Sequence, residues 1–328
     1  MRLHAAGTAL TADDVRVPEP GPLQVLMRVS ACGVCRTDLH LIDGELPAVP
    51  LPVTPGHEIV GRVVKAGAGV SRFKIGDRIG ATWLGETCGV CYYCRHGWEN
   101  LCERARFTGY HFDGGYADYA LADARYCCAI PERYGDTEAA PLLCAGLIGY
   151  RAYRAAGPGE HLGLYGFGAA AHLLAQLALA EGRKVSAFTR PGDERSQEFA
   201  RQLGVQWAGG SDAAPPVPLD AAIIFAPVGA LVPAALAVTR PRGRVVCAGI
   251  HMSDVPAFPY RLLWSERSLV SVANLTRADA SEFMQVAAAI ALEPRVLVYP
   301  LDRVNDALEA LRAGRLDGAA VLTPAAAS

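Results

Sequence analysis

Short apolar runs broken by glycine and proline fill the first 147 residues. Residues 24–29 and 59–64 read as strands, and Gly56, Gly61, Gly67, Gly69, Gly76 and Gly80 punctuate the neighbourhood. Runs of this length bounded by turn residues predict a β-rich region. Residues 77–82 and 125–131 read as further strands. From about residue 150 the pattern changes. Apolar, strand-length runs at 161–165, 184–188, 219–225 and 243–248 alternate with helix-forming stretches at 169–181 and 194–203, where Phe199 and Leu203 stand four apart. Strand and helix alternating at this pitch predict a parallel sheet with crossover helices. Beyond it, 279–291 predicts a helix, 296–299 a strand, 304–313 an amphipathic helix closed by Gly314, and 319–322 a last strand. That tail is expected to return to the first domain.

Composition narrows the class. A chain of 328 residues suggests two domains. A net charge of −2, from 31 Lys and Arg against 33 Asp and Glu, attracts neither nucleic acid nor an anionic membrane surface. With 51% hydrophobic and 20% charged residues, the chain is not disordered. The N-terminus has no apolar signal segment. Residues 162–180 and 221–239 carry no Asp, Glu, Lys or Arg. The first is broken by Gly163, Gly166 and Gly168, the second by Pro227, Gly229 and Pro233, so strand, turn and helix describe both better than a membrane span. A cytoplasmic protein without membrane or nucleic-acid partners is expected.

The ten cysteines matter through their clustering. Cys88, Cys91, Cys94 and Cys102 fall within fifteen residues as C-x2-C-x2-C-x7-C. Four thiolates at this spacing close a tetrahedron around Zn²⁺ and leave no open position, so such a site is structural. The competing readings are disulfides, which a chain without a secretion signal disfavours, an iron–sulfur cluster, which four thiolates also hold, and coincidence. A more dispersed set comprises Cys32, Cys35, Thr37, Asp38 and His40, then His57 and Glu58, then Cys144. Taken singly, each is weak. A lone cysteine is more often a small buried hydrophobe, and Cys32-x-x-Cys35 alone also suits a redox pair.

Taken together, the motifs resemble the zinc-dependent alcohol dehydrogenases of the medium-chain dehydrogenase/reductase superfamily. The resemblance is carried in order by Cys35-Arg36-Thr37-Asp38-x-His40, Gly56-His57-Glu58, the four-cysteine lobe, Asp113-Gly114-Gly115-Tyr116, Cys144-Ala145-Gly146 and the segment from Gly314 to Leu322. It implies that Cys35, His57 and Cys144 bind a catalytic zinc. Two thiolates and one imidazole leave a fourth position for water or substrate oxygen. There the metal polarises a carbonyl or acidifies an alcohol before hydride transfer. The resemblance further implies a proton relay through Thr37 and His40. Asp38 would hold the far nitrogen of His57, Glu58 would stand close behind the metal, and Arg36 would lie near the coenzyme pyrophosphate. By the same resemblance Trp83, Leu41, Ile42, Tyr110 and Leu275 line the substrate cleft, although residues 272–277 lack the glycine expected in that loop. Cys32, Cys127, Cys128 and Cys247 are read as packing.

Gly166-x-Gly168-x-x-Ala171 follows a predicted strand and precedes a predicted helix, the context of a dinucleotide-binding turn. Gly166 makes the turn, Gly168 lets a pyrophosphate approach, and Ala171 permits close packing of helix on sheet. The next strand ends Thr189-Arg190, where NAD-preferring folds carry an acid on the ribose 2′-hydroxyl. A base there suits a 2′-phosphate, so NADP(H) is expected over NAD(H), with Thr189 and Arg190 as its contacts.

The expected fold is therefore α/β. A β-rich, partly open barrel-like catalytic domain (1–147 and 291–328) accompanies a doubly wound parallel-sheet, Rossmann-type coenzyme domain (148–290). Two Zn²⁺ per chain, a small to medium alcohol or aldehyde substrate and a homo-oligomer, dimer or tetramer, complete the expectation. The alternatives are a polyol or amino-alcohol dehydrogenase, and a non-catalytic nucleotide-sensing zinc protein. Zinc content and a substrate panel separate them.

Overall fold

Burial on both faces makes the strand Gln24–Val34 (β1) the organising element of the first unit: along it only Arg28 is exposed. The computed structural model describes residues 1–325. It divides into two compact units, Met1–Cys144 with the tail from Asn274, and Ala145–Ala273. In the first, β1 leads into a short helix, Arg36–Ile42 (α1). Strands Glu58–Ala66 (β2), Arg78–Ala81 (β3), Leu84–Glu86 (β4), Arg106–Phe107 (β5), Tyr119–Asp123 (β6) and Cys127–Ala129 (β7) follow. Between β4 and β5 lie the turn-length helix Tyr92–Arg95 (α2) and a 3₁₀ turn, Glu99–Leu101. After β7 come Asp136–Ala139 (α3) and a second 3₁₀ turn, Ala140–Leu143. The expected strand at 125–131 is shorter than predicted, because Ala124–Tyr126 turns as a 3₁₀ segment capped by the Asp123 side chain.

The second unit alternates as its pattern requires. Ala145–Ala156 (α4) precedes His161–Tyr165 (β8), Ala169–Ala180 (α5), Lys184–Thr189 (β9), Glu194–Gln202 (α6) and Trp207–Gly210 (β10). Leu219–Ile224 (β11), Leu231–Val238 (α7), Thr239–Cys247 (β12) and Ser268–Ser271 (β13) complete it. The six strands run parallel in the order β10-β9-β8-β11-β12-β13. Strand order reverses between β8 and β11, and the carboxyl ends of strands at such a switch point are where this architecture binds ligands. Residues 162–180 and 221–239 each resolve into strand, turn and helix. Among the described residues no helix is long and apolar enough to cross a membrane.

The tail then re-enters the first unit with Arg277–Ile290 (α8), Val296–Pro300 (β14), Val304–Arg312 (α9) and Ala319–Thr323 (β15). It completes a seven-stranded sheet ordered β14-β15-β1-β2-β3-β7, with β6 also paired to β1. On α9, Val304 and Leu308 lie one turn apart and both are buried in the core of this unit. Each such side chain contributes about 1.5–3 kcal/mol of apolar burial.

The unit boundaries differ from the expected 147/148 and 290/291. Residues 145–147 open α4 and belong to the parallel-sheet unit. Residues 274–290 belong to the first unit, for identifiable reasons: Tyr134 Oη donates to the Ala287 carbonyl at 2.7 Å, Arg133 donates to the Ala288 carbonyl, and Arg277 grips Glu99. Residues 326–328, expected in the catalytic domain, lie outside the described residues.

Candidate active site

Local capping positions the first thiol. Cys35 is the N-cap of α1, and its Sγ accepts from Thr37 N–H at 3.5 Å. Three residues on, the Asp38 carboxylate accepts from Cys35 N–H at 2.8 Å, closing a capping box in which cysteine takes the role usual for serine. His57 follows Gly56, whose φ of +95° only glycine adopts without strain, and directly precedes β2. Cys144 ends the 3₁₀ turn Ala140–Leu143.

These three elements converge. One ligand atom each of Cys35, His57, Glu58 and Cys144 lies within 4.8 Å of the others. Cys35 Sγ and Cys144 Sγ are 3.8 Å apart. Two sulfurs bonded at ~2.3 Å to a tetrahedral zinc stand ~3.8 Å apart, so the spacing fits the ion. His57 is fully buried, and among the described residues neither ring nitrogen has a hydrogen-bond partner in good geometry, although Nδ1 lies 3.5 Å from Asp38 Oδ1. An orphaned buried imidazole nitrogen costs roughly 1–3 kcal/mol unless something ligates it. The charges agree. The Cys144 thiol and then His57 hold the Cys35 thiol well below its ordinary value. Burial, followed by the negative Cys35, pushes the Glu58 carboxyl well up. Two half-buried thiols and two buried carboxylates around one buried imidazole are the environment a divalent cation stabilises. Glu58 has room only because residue 33 is glycine, where a Cβ would stand 1.8 Å from Glu58 Oε2.

The surrounding expected residues divide. Thr37 Oγ1 lies 3.6 Å from Cys35 Sγ, and His40 lies on the same short helix, its Nδ1 2.5 Å from Glu45 Oε2. Glu45 was not anticipated; the available signal was an acid five residues after His40. Arg36 is exposed and has no side-chain partner among the described residues. The Trp83 ring meets His57 edge-on at 4.9 Å and stacks on Phe107 and Tyr110, forming an apolar wall beside the ligand set. Tyr110 Oη donates to the Pro47 carbonyl. Leu41 and Ile42 are buried in the core of the first unit. Leu275 faces a small cavity of about 20 Å³ with Thr82, Tyr126 and Arg277. Its neighbour Asn274 takes φ +57°, which explains how the loop dispenses with the expected glycine, since asparagine tolerates that region.

The second cluster is separate and closed. The four thiols of Cys88, Cys91, Cys94 and Cys102 also lie within 4.8 Å of one another, with Cys88 and Cys94 Sγ 3.9 Å apart. Backbone N–H groups already serve the sulfurs: Cys91 N donates to Cys88 Sγ at 3.3 Å, and Arg104 N to Cys102 Sγ at 3.4 Å. The Val90 and Cys91 N–H groups, with Arg104, bring the Cys88 thiol down to about 5, the thiolate a metal requires. Cys32, Cys127 and Cys128 are buried and Cys247 is half-buried. Burial raises the thiols of all four, as packing residues require.

In the second unit the turn after β8 has the geometry of an anion cradle. Gly166 has φ +86°, and a Cβ there would stand 3.0 Å from Ala226. A Cβ at Gly168 would meet nothing within 4 Å, so space is open at the N-terminus of α5, which has no side-chain cap. Ala171 is buried. Free N–H groups at a helix start beside open space suit a phosphate. Thr189 departs from expectation. It is buried, its Oγ1 donates to the Arg190 carbonyl at 3.0 Å and accepts from Gln197 Nε2 at 3.1 Å, so its hydroxyl is already committed inward. The Arg190 side chain is exposed and has no partner among the described residues.

Comparisons with known proteins agree with this chemistry. Residues 21–132 match the alcohol dehydrogenase GroES-like domain. "Probable alcohol dehydrogenase AdhA" of Mycobacterium tuberculosis is 49% identical over 315 residues, covering 94% of this chain and 90% of that protein. Among solved structures, a cinnamyl alcohol dehydrogenase of Sorghum bicolor superposes with a TM-score of 0.89 at 28% identity, covering 98% of this chain and 96% of that one. An acetophenone reductase of Geotrichum candidum in complex with NAD superposes with a TM-score of 0.88 at 29% identity and the same coverage.

Proposed function

The chain belongs to the zinc-type alcohol dehydrogenases of the medium-chain dehydrogenase/reductase superfamily, and from that premise we propose that it moves a hydride between NADP(H), favoured over NAD(H), and a small to medium, mostly apolar alcohol or aldehyde. As an enzyme it is an NAD(P)-dependent alcohol dehydrogenase. One observation carries the reading: Cys35, His57, Glu58 and Cys144 converge within 4.8 Å, and neither imidazole nitrogen has a well-formed hydrogen bond among the described residues.

Cys35, His57 and Cys144 would hold a catalytic zinc, and Cys88, Cys91, Cys94 and Cys102 a structural one. When bound, the catalytic zinc supplies a Lewis acid for the substrate oxygen and the nicotinamide supplies the hydride acceptor or donor. The protein groups do the rest. Asp38 orients His57 through its Oδ1, Glu58 is a reserve donor in the same cluster, and Trp83 and Tyr110 exclude water from an apolar wall. The Thr37 hydroxyl takes the alcohol proton and passes it towards His40. With Nδ1–H donated to Glu45, His40 Nε2 carries the lone pair that receives it. The Gly166–Ala171 turn and Arg36 would hold the pyrophosphate. Arg190, exposed and without a side-chain partner among the described residues, favours a 2′-phosphate, whereas Thr189 faces inward and contributes only by shaping the end of β9.

Two further expectations belong to this reading. Tyr260 and Trp264, both about 70% exposed, lie on the segment that leads into the edge strand β13. Exposed aromatics beside an unpaired strand edge favour a homo-oligomer. Ten cysteines outside disulfides, six of them proposed metal ligands, accord with a reducing compartment such as the cytoplasm. The test is a panel of alcohols and aldehydes run with both coenzymes on protein of known zinc content. Turnover of apolar alcohols or aldehydes with a preference for NADPH is expected. A flat panel with two zinc ions loaded overturns the reading.

A further inference from the structure

The Asp38 carboxylate is held from four sides. Its Oδ1 faces Gly56 N–H at 3.3 Å and His57 Nδ1 at 3.5 Å. Its Oδ2 accepts two shorter bonds, from Cys35 N–H at 2.8 Å and from Tyr116 Oη at 2.8 Å. Tyr116 is fully buried, and no role has been assigned to it so far. The chain is shaped to admit its ring. Residues 114–116 lie along 54–56, with Gly114 N donating to Thr54 O, Gly115 N to Gly56 O and Tyr116 N to Pro55 O. A Cβ on Gly56 would stand 2.5 Å from Tyr116 Cδ1, and a Cβ on Gly114 would stand 2.0 Å from Gly56 O. The ring edge therefore occupies the space beside Gly56, the residue that precedes His57, with its hydroxyl directed into the carboxylate.

We propose that Tyr116 is a positioning residue for the catalytic metal site: its hydroxyl, bonded to Asp38 Oδ2, fixes the carboxylate so that Oδ1 faces His57 and the same group anchors Cys35. The inference rests on the reading of Cys35, His57 and Cys144 as metal ligands. The physical argument is rotational. Without the tyrosine hydroxyl, Asp38 keeps one short bond, Cys35 N–H on Oδ2 at 2.8 Å, and the longer one from Gly56 N–H on Oδ1 at 3.3 Å, which leave its Cβ–Cγ torsion more loosely set. The second short donor on Oδ2, Tyr116 Oη from a different segment of chain, tightens that torsion and hence the direction of Oδ1. The tie acts on two ligands at once, because Asp38 bonds the backbone of Cys35 and faces the ring of His57. Burial and the neighbouring Asp38 charge push the Tyr116 phenol well up, so it remains a donor throughout the working pH range.

The experiment compares the rate at which the zinc-loaded protein gives up metal to a chromogenic chelator, in wild type, Tyr116→Phe, Asp38→Asn and the double variant. Cys35→Ser identifies which kinetic phase belongs to the catalytic site. Phenylalanine keeps the ring that fills the space beside Gly56, and thermal melting checks that the fold is retained. Outer partners of metal-bound histidine alter affinity about 10–100-fold. Tyr116 stands one bond further out, so Tyr116→Phe should speed the catalytic phase about 3- to 10-fold and leave the four-cysteine phase unchanged. Cobalt substituted at the catalytic site should show a shifted absorption spectrum in the same variant. In the Asp38→Asn background the tyrosine change should add nothing, which a merely structural role would not produce. Tyr126→Phe, which loses a comparable buried bond to Thr87 (2.6 Å), should leave both phases unchanged. An unaltered catalytic phase in folded Tyr116→Phe, or an effect undiminished in Asp38→Asn, overturns the proposal. A wild-type protein with no phase sensitive to Cys35→Ser overturns the ligand reading and this inference with it.

Discussion

Glu99 takes four hydrogen bonds from the single residue Arg277: from its backbone N–H at 2.8 Å, from Nε at 2.9 and 3.0 Å, and from Nη2 at 2.5 Å. Glu99 lies in the 3₁₀ turn between Cys94 and Cys102, and Arg277 opens α8. The pair therefore ties the four-cysteine lobe to the returning tail. The guanidinium also lies over the Tyr126 ring, 5.0 Å from its centroid.

Glu99→Gln should destabilise the protein most at neutral pH. Burial pushes the Glu99 carboxyl up, but the Arg277 side chain and N–H outweigh it and hold it below its ordinary value. A carboxylate with a depressed folded pKa stabilises above the unfolded value of about 4.5 and loses that contribution as pH falls through the folded value. Arg277 is half-exposed, which screens the pair, so a loss of about 1–2 kcal/mol is expected at pH 7. Urea melts of wild type and Glu99→Gln should differ by this amount at pH 7 and converge below about pH 4. A difference that is constant with pH would mean that the ionised pair contributes nothing.

Removing one thiol from each cluster should separate two metals by function. Cys35→Ser should retain one zinc and lose activity by at least roughly 10³-fold, since several kcal/mol of charge stabilisation disappear. Cys94→Ser should lose the other zinc and lower thermal stability, with activity falling only as far as the folded fraction falls. Metal analysis alongside specific activity decides it. Loss of both metals in either variant would contradict two independent sites.

The sequence was most legible where chemistry is local. Four cysteines within fifteen residues announce their cluster because chain proximity alone can assemble it. The Gly166-x-Gly168 turn is legible for the same reason. The sequence pattern did not reveal α1, because seven residues are too few for a period and its start is a cysteine capped by Asp38 rather than a recognised serine or threonine. The domain boundary was misplaced because 274–290 reads as one more α/β helix, whereas its partners, Glu99 and Tyr134, lie far away in sequence. Thr189, expected as a coenzyme contact, turns its hydroxyl inward, because Gln197 on the following helix bonds it. Glu45 reaches His40 only because the chain turns back after α1, with Glu45 N–H donating to the His40 carbonyl at 2.9 Å.

That turn gives the relay a distinct test. His40→Ala should lower alcohol oxidation by about 10²-fold or more, with partial rescue by added imidazole, if the side chain carries the proton. Glu45→Gln keeps a hydrogen-bond acceptor but removes the charge, so a smaller loss is expected, visible in the pH profile of kcat rather than in KM. Steady-state rates from pH 6 to 9 measure both. A His40→Ala profile identical to wild type would remove His40 from the proton path, and an unchanged Glu45→Gln profile would remove Glu45 alone.

The proposed coenzyme preference rests on one exposed guanidinium. Arg190 directly follows β9, and its side chain has no partner among the described residues. It is therefore free to make the charge-assisted contact, worth about 1.5–3 kcal/mol for a well-placed arginine on phosphate. Arg190→Ala should lower kcat/KM for NADPH about 10- to 100-fold and leave NADH within about twofold. Thr189→Val, by contrast, should affect both coenzymes alike, because it breaks an internal bond to Gln197 rather than a contact with phosphate. Restoring the acid with Arg190→Asp should reverse the preference by repelling the 2′-phosphate. If wild type uses both coenzymes with comparable kcat/KM, and Arg190→Ala does not impair NADPH, then Arg190 is only a solvated surface charge and the preference for NADP(H) is wrong.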